Sequence, residues 1–174
     1  MADDAETSTN GLYLLNINNV TVKGCKINNA PYHGIFTRAF VSAAITDNVI
    51  NGVGQDGIKV ECDWSSYNVT SENIVITNNS LSQGKNGIRV KAYKSFAKNA
   101  TITGNTIDMT NAAEFDEKEG EPCGILLVAK DATVEPNLIV SGNIKKGTGA
   151  DLHWFSLEGF SPAEGSNYSA PYSE

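Results

Sequence analysis

Short runs in which apolar and polar residues alternate recur from one end of the chain to the other. Six of them open on a glycine: Gly11-Leu12-Tyr13-Leu14, Gly34-Ile35-Phe36-Thr37, Gly57-Ile58-Lys59-Val60, Gly87-Ile88-Arg89-Val90, Gly124-Ile125-Leu126-Leu127 and Gly149-Ala150-Asp151-Leu152. The glycines are spaced 23, 23, 30, 37 and 25 residues apart, a range in which self-similarity marks a solenoid. A second run interleaves with the first and reads Asn, apolar, any, apolar, any, turn residue, Asn, any, apolar. Its clearest copies are 73–81 and 99–107, and looser ones cover 19–27, 42–50 and 137–144.

A period of two predicts strands with one buried face. Each second run breaks at a slot filled by Gly24, Asp47, Asn78, Gly104 or Gly142, residue types that tolerate positive φ, so a left-handed bend is expected there. Just past the bend, Asn48, Asn79, Asn105 and Asn143 are expected to stack in successive turns, with Cys25 in the slot of the first copy. An amide both donates and accepts, so such a column can bond to itself and to the bend's backbone. Two or three short parallel strands per turn, with no helical period between them, predict an all-β chain wound as a single-stranded parallel β-helix of about six short turns. Each turn then touches only its neighbours, on rungs about 4.8 Å apart.

This repeat resembles those of the pectin lyase-like superfamily over roughly residues 10–155. The resemblance implies a right-handed coil and an activity among polysaccharide lyases, glycoside hydrolases, epimerases and bacteriophage tailspikes. It also implies an extracellular or virion-associated setting. Gly87-Ile88-Arg89-Val90-Lys91 is similar to the Arg-Ile-Lys segment of polygalacturonases, which implies carboxylate contacts for Arg89 and Lys91. The Asn-Thr-Asp and Gly-His-Gly motifs of that family are absent.

Length and a 40% apolar content suffice for one domain with a full core. Its expected parts are a flexible N-terminus at 1–9, the β-helix at 10–155 and a tail at 156–174 that caps the open sheet end. Too few residues precede the first turn for a helical cap, so association with another copy, or attachment to a preceding N-terminal portion, is expected. Met1-Ala2-Asp3-Asp4 does not begin a signal peptide, and no segment is apolar and long enough for a membrane span. Three cysteines, Cys25, Cys62 and Cys123, fit no paired-thiol pattern and are read as free. The net charge of −7 depends heavily on residues 114–121, which hold five acids and one lysine and leave −3 for the rest. Duplex nucleic acid, which needs a basic stripe, is therefore not an expected partner.

Within this acidic chain the repeat gathers base. If the apolar positions after each glycine face inward, the positions between them form outer columns. One is Tyr13, Phe36, Lys59, Arg89, Leu126 and Asp151; the next is Leu15, Arg38, Glu61, Lys91, Val128 and His153. Arg38, Lys59, Arg89 and Lys91 thus surround Glu61. Before the glycines, His33 and Asp56 become rung neighbours. The third turn is lengthened by 62–68, and an insertion in a solenoid forms the wall of a groove, where Trp64 and Tyr67 would offer sugar platforms. Cations for acid groups, aromatic faces for rings and a carboxylate for proton transfer are the needs of an acidic polysaccharide.

The expected function is therefore polysaccharide binding or degradation, with Asp56, Glu61, Asp63 and Arg89 as catalytic candidates. Arg38, Lys59, Lys91, Trp64, Tyr67 and His33 are the substrate-binding candidates. Glu61 with Asp63 is the better-spaced acid pair for hydrolysis. No cofactor is expected, with calcium at Asp56, Glu61 and Asp63 the one metal worth testing. The competing expectation is a non-catalytic structural or binding segment of a larger or oligomeric protein, in which the same charges form a solvated ladder between rungs.

Overall fold

The computed structural model describes residues 10–64, 66–110, 122–130, 135–147, 153–169 and 171–173. The N-terminal segment 1–9, the acidic run 114–121 and the sixth glycine-led run 149–152 lie outside the described residues. Within them every strand pairs in parallel, the one antiparallel bridge being Trp64 with Tyr67 in the third-turn insertion, and the coil has three walls. The first is the glycine-led wall: the opening halves of β1 (Leu12–Lys23) and β3 (Ile35–Thr46), then β5 (Asp56–Glu61), β8 (Asn86–Ala92), β11 (Cys123–Ala129) and β14 (His153–Glu158). The second holds the closing halves of β1 and β3, then β6 (Asn73–Thr77), β9 (Asn99–Thr103) and β12 (Asn137–Ser141). The third holds β2 (Lys26–Asn28), β4 (Val49–Asn51), β7 (Ser80–Ser82), β10 (Thr106–Asp108) and β13 (Ile144–Lys146).

Alternation fills the interior as the sequence predicts. Ile35, Ile58, Ile88, Ile125 and Phe155 stack rung on rung along the first wall, and Ile27, Ile50, Leu81 and Ile107 along the third. Fully burying such a side chain contributes about 1.5–3 kcal/mol, a gain that the half-buried Ile27 and Phe155 at the column ends realise only in part. The glycines owe their place to close approach. A Cβ on Gly34 would meet Ile50 and lie 2.6 Å from the carbonyl oxygen of Gly57, and one on Gly87 would lie 2.6 Å from that of Gly124.

This crowding corrects the register of the sixth turn. Cys123 pairs with His153 and Leu126 with Ser156, so the residue level with Gly124 is Trp154, not Gly149. No described turn lies above Trp154, so its Cβ meets no overlying carbonyl and the glycine rule ends there. The outer columns accordingly end on Ser156 and Glu158 instead of Asp151 and His153, and β14 runs past 155.

The left-handed bends fall at Gly24, Asp47, Asn78, Gly104 and Gly142, with φ between 57° and 68°. Beyond them the asparagines form one buried ladder: Nδ2 of Asn48 donates to Oδ1 of Asn79, Asn79 to Asn105, and Asn105 to Asn143, each at 2.9 Å. The same amides donate to carbonyls of the turn below, Val22, Ile45, Ile76 and Ile102. The last rung is met by the tail. The N–H of Asn167 donates to Leu138, that of Val140 to Asn167 and that of Ser173 to Asn143, while the Asn143 amide donates to Pro171.

Candidate functional site

The outer positions of the first wall do point away from the core, but in turns two and three they are covered. Phe36, Arg38, Lys59 and Glu61 are each 6% exposed or less, so the solvated ladder expected from the sequence is instead a buried cluster. Arg38 donates from Nε to Oε2 of Glu61 at 2.5 Å, and Nζ of Lys59 lies 3.3 Å from Oε1 of the same carboxylate. The Arg38 guanidinium lies 3.7 Å from the centre of the Trp64 ring and 4.7 Å from that of Phe36, and the Lys59 ammonium 4.6 Å from that of Phe36. Trp64 comes from the lengthened third turn, so the insertion folds back over rung two. One carboxylate between two cations, roofed by aromatic faces, gives charges taken from water both counter-charge and π contact.

Asp63 does different work. Its carboxylate accepts the backbone N–H groups of Tyr93, Lys94 and Ser95 at 2.7, 2.6 and 2.8 Å, tying the third turn to the segment that follows β8. Between the insertion and that segment lies a groove of about 680 Å³, lined among others by Trp64, Tyr67, Asn68, Tyr93, Lys94 and Lys130. Trp64 and Tyr93 meet edge to face at 5.9 Å. Lys91 donates to the Tyr93 hydroxyl at 2.9 Å with its ammonium 4.4 Å from the ring centre, and the Lys130 ammonium lies 5.9 Å from the same ring. Burial pushes the Tyr93 hydroxyl up, helped by the charge of Glu61 and opposed by Arg38, Lys59 and Lys130.

The structure thus brings Trp64 and Tyr67 to one groove, with Arg38, Lys59, Glu61 and Lys91 beside or beneath it. Tyr93, Lys94 and Lys130 belong to the lining although the sequence reading passed over them. The signal was available: Lys91 is level with Val128, so two residues further on Tyr93 is level with Lys130, and Asp63 with both. The outer columns needed only to be read one step past the strand ends.

His33 and Asp56 lie elsewhere, in a second buried column at the corner before the glycines. The Asn10 side chain accepts the His33 N–H at 3.2 Å, and Nδ1 of His33 accepts the Asp56 N–H at 3.3 Å. Asn86 donates to Oδ1 of Asp56 at 2.7 Å and accepts the Cys123 N–H at 3.0 Å. Nδ1 of His33 is also 3.1 Å from Oδ2 of Asp56. One nitrogen cannot both accept from the backbone and donate to the carboxylate, and in the described geometry Oδ2 and His33 Nε2 are buried without a hydrogen bond. Burial presses the Asp56 carboxyl upward, but the His33 contact, the Arg89 charge and the Asn86 amide outweigh it and hold the group below its ordinary value. Asp56, Glu61 and Asp63 therefore have separate partners. Among the described residues no three His, Cys, Asp or Glu side chains converge as a metal site would require. The three thiols are free, and burial pushes those of Cys62 and Cys123 up to about 12, where they are unreactive.

With a three-walled parallel coil in view, one comparison with known proteins is decisive: the sequence profile of the right handed beta helix region matches residues 5–153. The chain belongs to that family. No curated protein and no solved structure is matched by it. In this right-handed β-helix the groove sits on the outside of the first wall, where an insertion alters the surface without altering a rung. The buried charges beneath that groove are held by the same strands that define the coil.

Proposed function

We propose that this β-helix is a glycan-binding module that holds an acidic saccharide in the groove between the third-turn insertion and the segment after β8, without cleaving it. The supporting observation is the lining: Trp64, Tyr67 and Tyr93 for sugar faces, exposed Lys94 and Lys130 for acid groups, and Asn68 and Thr70 as hydrogen-bonding partners, in a space of saccharide size. Among the described residues the one lining carboxylate, Asp63, is engaged by three backbone amides. Glu61 is closed between Arg38 and Lys59, and Asp56 is fully buried in another column. A general acid or nucleophile must reach the bond it breaks, so these contacts favour binding over turnover.

The test is titration of the chain with oligosaccharides of uronic acid, sulfated sugar and uncharged hexose, followed by tryptophan fluorescence and calorimetry. The uronic acid oligomers are expected to bind, with affinity falling as salt rises. Trp64→Ala should weaken binding about tenfold or more, as loss of a central aromatic anchor does. Reducing ends and unsaturated-uronate absorbance should stay flat. Binding that ignores Trp64→Ala overturns the groove, and turnover overturns the non-catalytic reading in favour of lyase or hydrolase action.

A further inference from the structure

We infer that Arg38, held by Glu61, is the specificity-determining residue of this groove: laid against the buried face of Trp64, its guanidinium gives the aromatic platform a positive charge and with it a preference for acid groups. The inference rests on the groove being the saccharide site.

Trp64 lines the groove and Arg38 does not, yet the guanidinium lies 3.7 Å from the centre of the indole ring. One face of the ring is thus occupied from below and Tyr93 meets the ring edge to face at 5.9 Å, so a ligand meets the part of the ring that still lines the groove. The cluster beneath holds two cations, Arg38 and Lys59, against one carboxylate, Glu61, with Arg38 and Lys59 5% and 6% exposed and Glu61 1%. The Arg38 guanidinium thus stacks on the ring where little water screens it, and a charge so placed acts across a ring thickness with useful strength. An indole presents electron density on its faces, which attracts sugar C–H groups but repels carboxylates. A cation on the rear face draws that density back. Arg38 suits this place because a guanidinium is flat enough to stack while its Nε–H reaches Glu61. The reach of these charges to the groove wall also appears at Tyr93, whose hydroxyl responds to Glu61 in one direction and to Arg38 and Lys59 in the other.

The chain has two tryptophans, so a Trp154→Phe background leaves Trp64 as the sole indole reporter. Quenching of its fluorescence by iodide, an anion, is divided by quenching with neutral acrylamide, each variant first being shown folded by its thermal transition. Arg38→Met is expected to lower this ratio about twofold or more and to cut the preference for uronate over uncharged oligosaccharides about tenfold. Glu61→Gln, which removes the negative charge that faces Arg38 and Lys59, is expected to raise the ratio. A purely structural role would move both variants the same way, and that result, or no movement at all, overturns the inference. Should Glu61→Gln fail to fold, Arg38→Lys takes its place: it keeps the charge and should hold the ratio near that of the parent, whereas equal losses for Lys and Met would refute a charge effect. The two readings fail separately. Loss of uronate binding in Trp64→Ala, together with a quenching ratio that Arg38→Met leaves unmoved, defeats only the charged platform. A responsive ratio with no uronate binding defeats only the saccharide groove.

Discussion

Two buried ladders run up the inside corners of this coil, and they are built on opposite plans. The column behind the left-handed bends uses one residue type, and from Asn48 to Asn143 each amide donates to the next and to a carbonyl of the turn below. The column before the glycines uses Asn10, His33, Asp56, Asn86 and Cys123, and leaves His33 Nε2 and Asp56 Oδ2 without hydrogen bonds. Both satisfy backbone N–H groups of neighbouring turns, so both serve the fold. The difference is redundancy. A uniform amide ladder matches donors to acceptors on every rung, whereas the mixed one depends at each rung on the particular pair that meets there.

The sharpest way to break the uniform ladder is Asn79→Ala. It strips the acceptor from both the N–H and the side chain of Asn48, and the donor from the Ile45 carbonyl. Buried groups left unmade cost about 1–3 kcal/mol each, so a loss of about 3–5 kcal/mol is expected in chemical denaturation. A loss below about 1 kcal/mol would show that water replaces the amide and that uniformity confers little.

The mixed ladder is tested by Asp56→Asn, which keeps the shape and removes the charge. A carboxyl held below its ordinary value stabilises the fold at pH above that value, and the contribution disappears as pH falls through the lower folded-state value. The parent is therefore expected to lose thermal stability between about pH 5 and about pH 2, and the variant to lose less over the same interval. Parallel curves would mean that Asp56 is held by geometry alone. The smallest effect is expected from Cys25→Asn, which places an amide in the first slot of the uniform ladder. The Cys25 N–H already donates to Asn48 at 2.9 Å, and a side-chain donor added there should gain about 0.5–1 kcal/mol. A loss would show that the thiol is preferred at the end of the column.

The uniform ladder was legible in the sequence because a single residue repeated at a fixed offset from a bend has one structural explanation. The glycine-led wall was legible for the same reason, down to His33 and Asp56 as rung neighbours. Misreading began where a turn has no neighbour to constrain it. Gly149 fits the motif, but the rule that demands glycine is collision with an overlying carbonyl, and Trp154 escapes it at the end of the sheet. The buried state of Arg38, Lys59 and Glu61 was illegible for a different reason. Facing outward follows from alternation, but being covered depends on where an irregular segment folds, and nothing in the spacing of Trp64 says that its ring will lie on a guanidinium one turn away. Tyr93 and Lys130 stood between these cases, since only the arbitrary choice to stop at the strand ends hid them.

The return of the tail over the last rung gives the shaft a polarity. Asn167 lies in register with Ile139, and Tyr172 with Asn143, so on the second wall and at the head of the third the C-terminal rim already has hydrogen-bonding groups engaged by its own chain. A second shaft arriving end-on at that rim finds β12 already paired and must first peel the tail from the second wall, while β14, with no described strand beyond it, is the edge left to copy. Fibre growth from this end is thereby guarded, along the second wall, by a barrier to detachment.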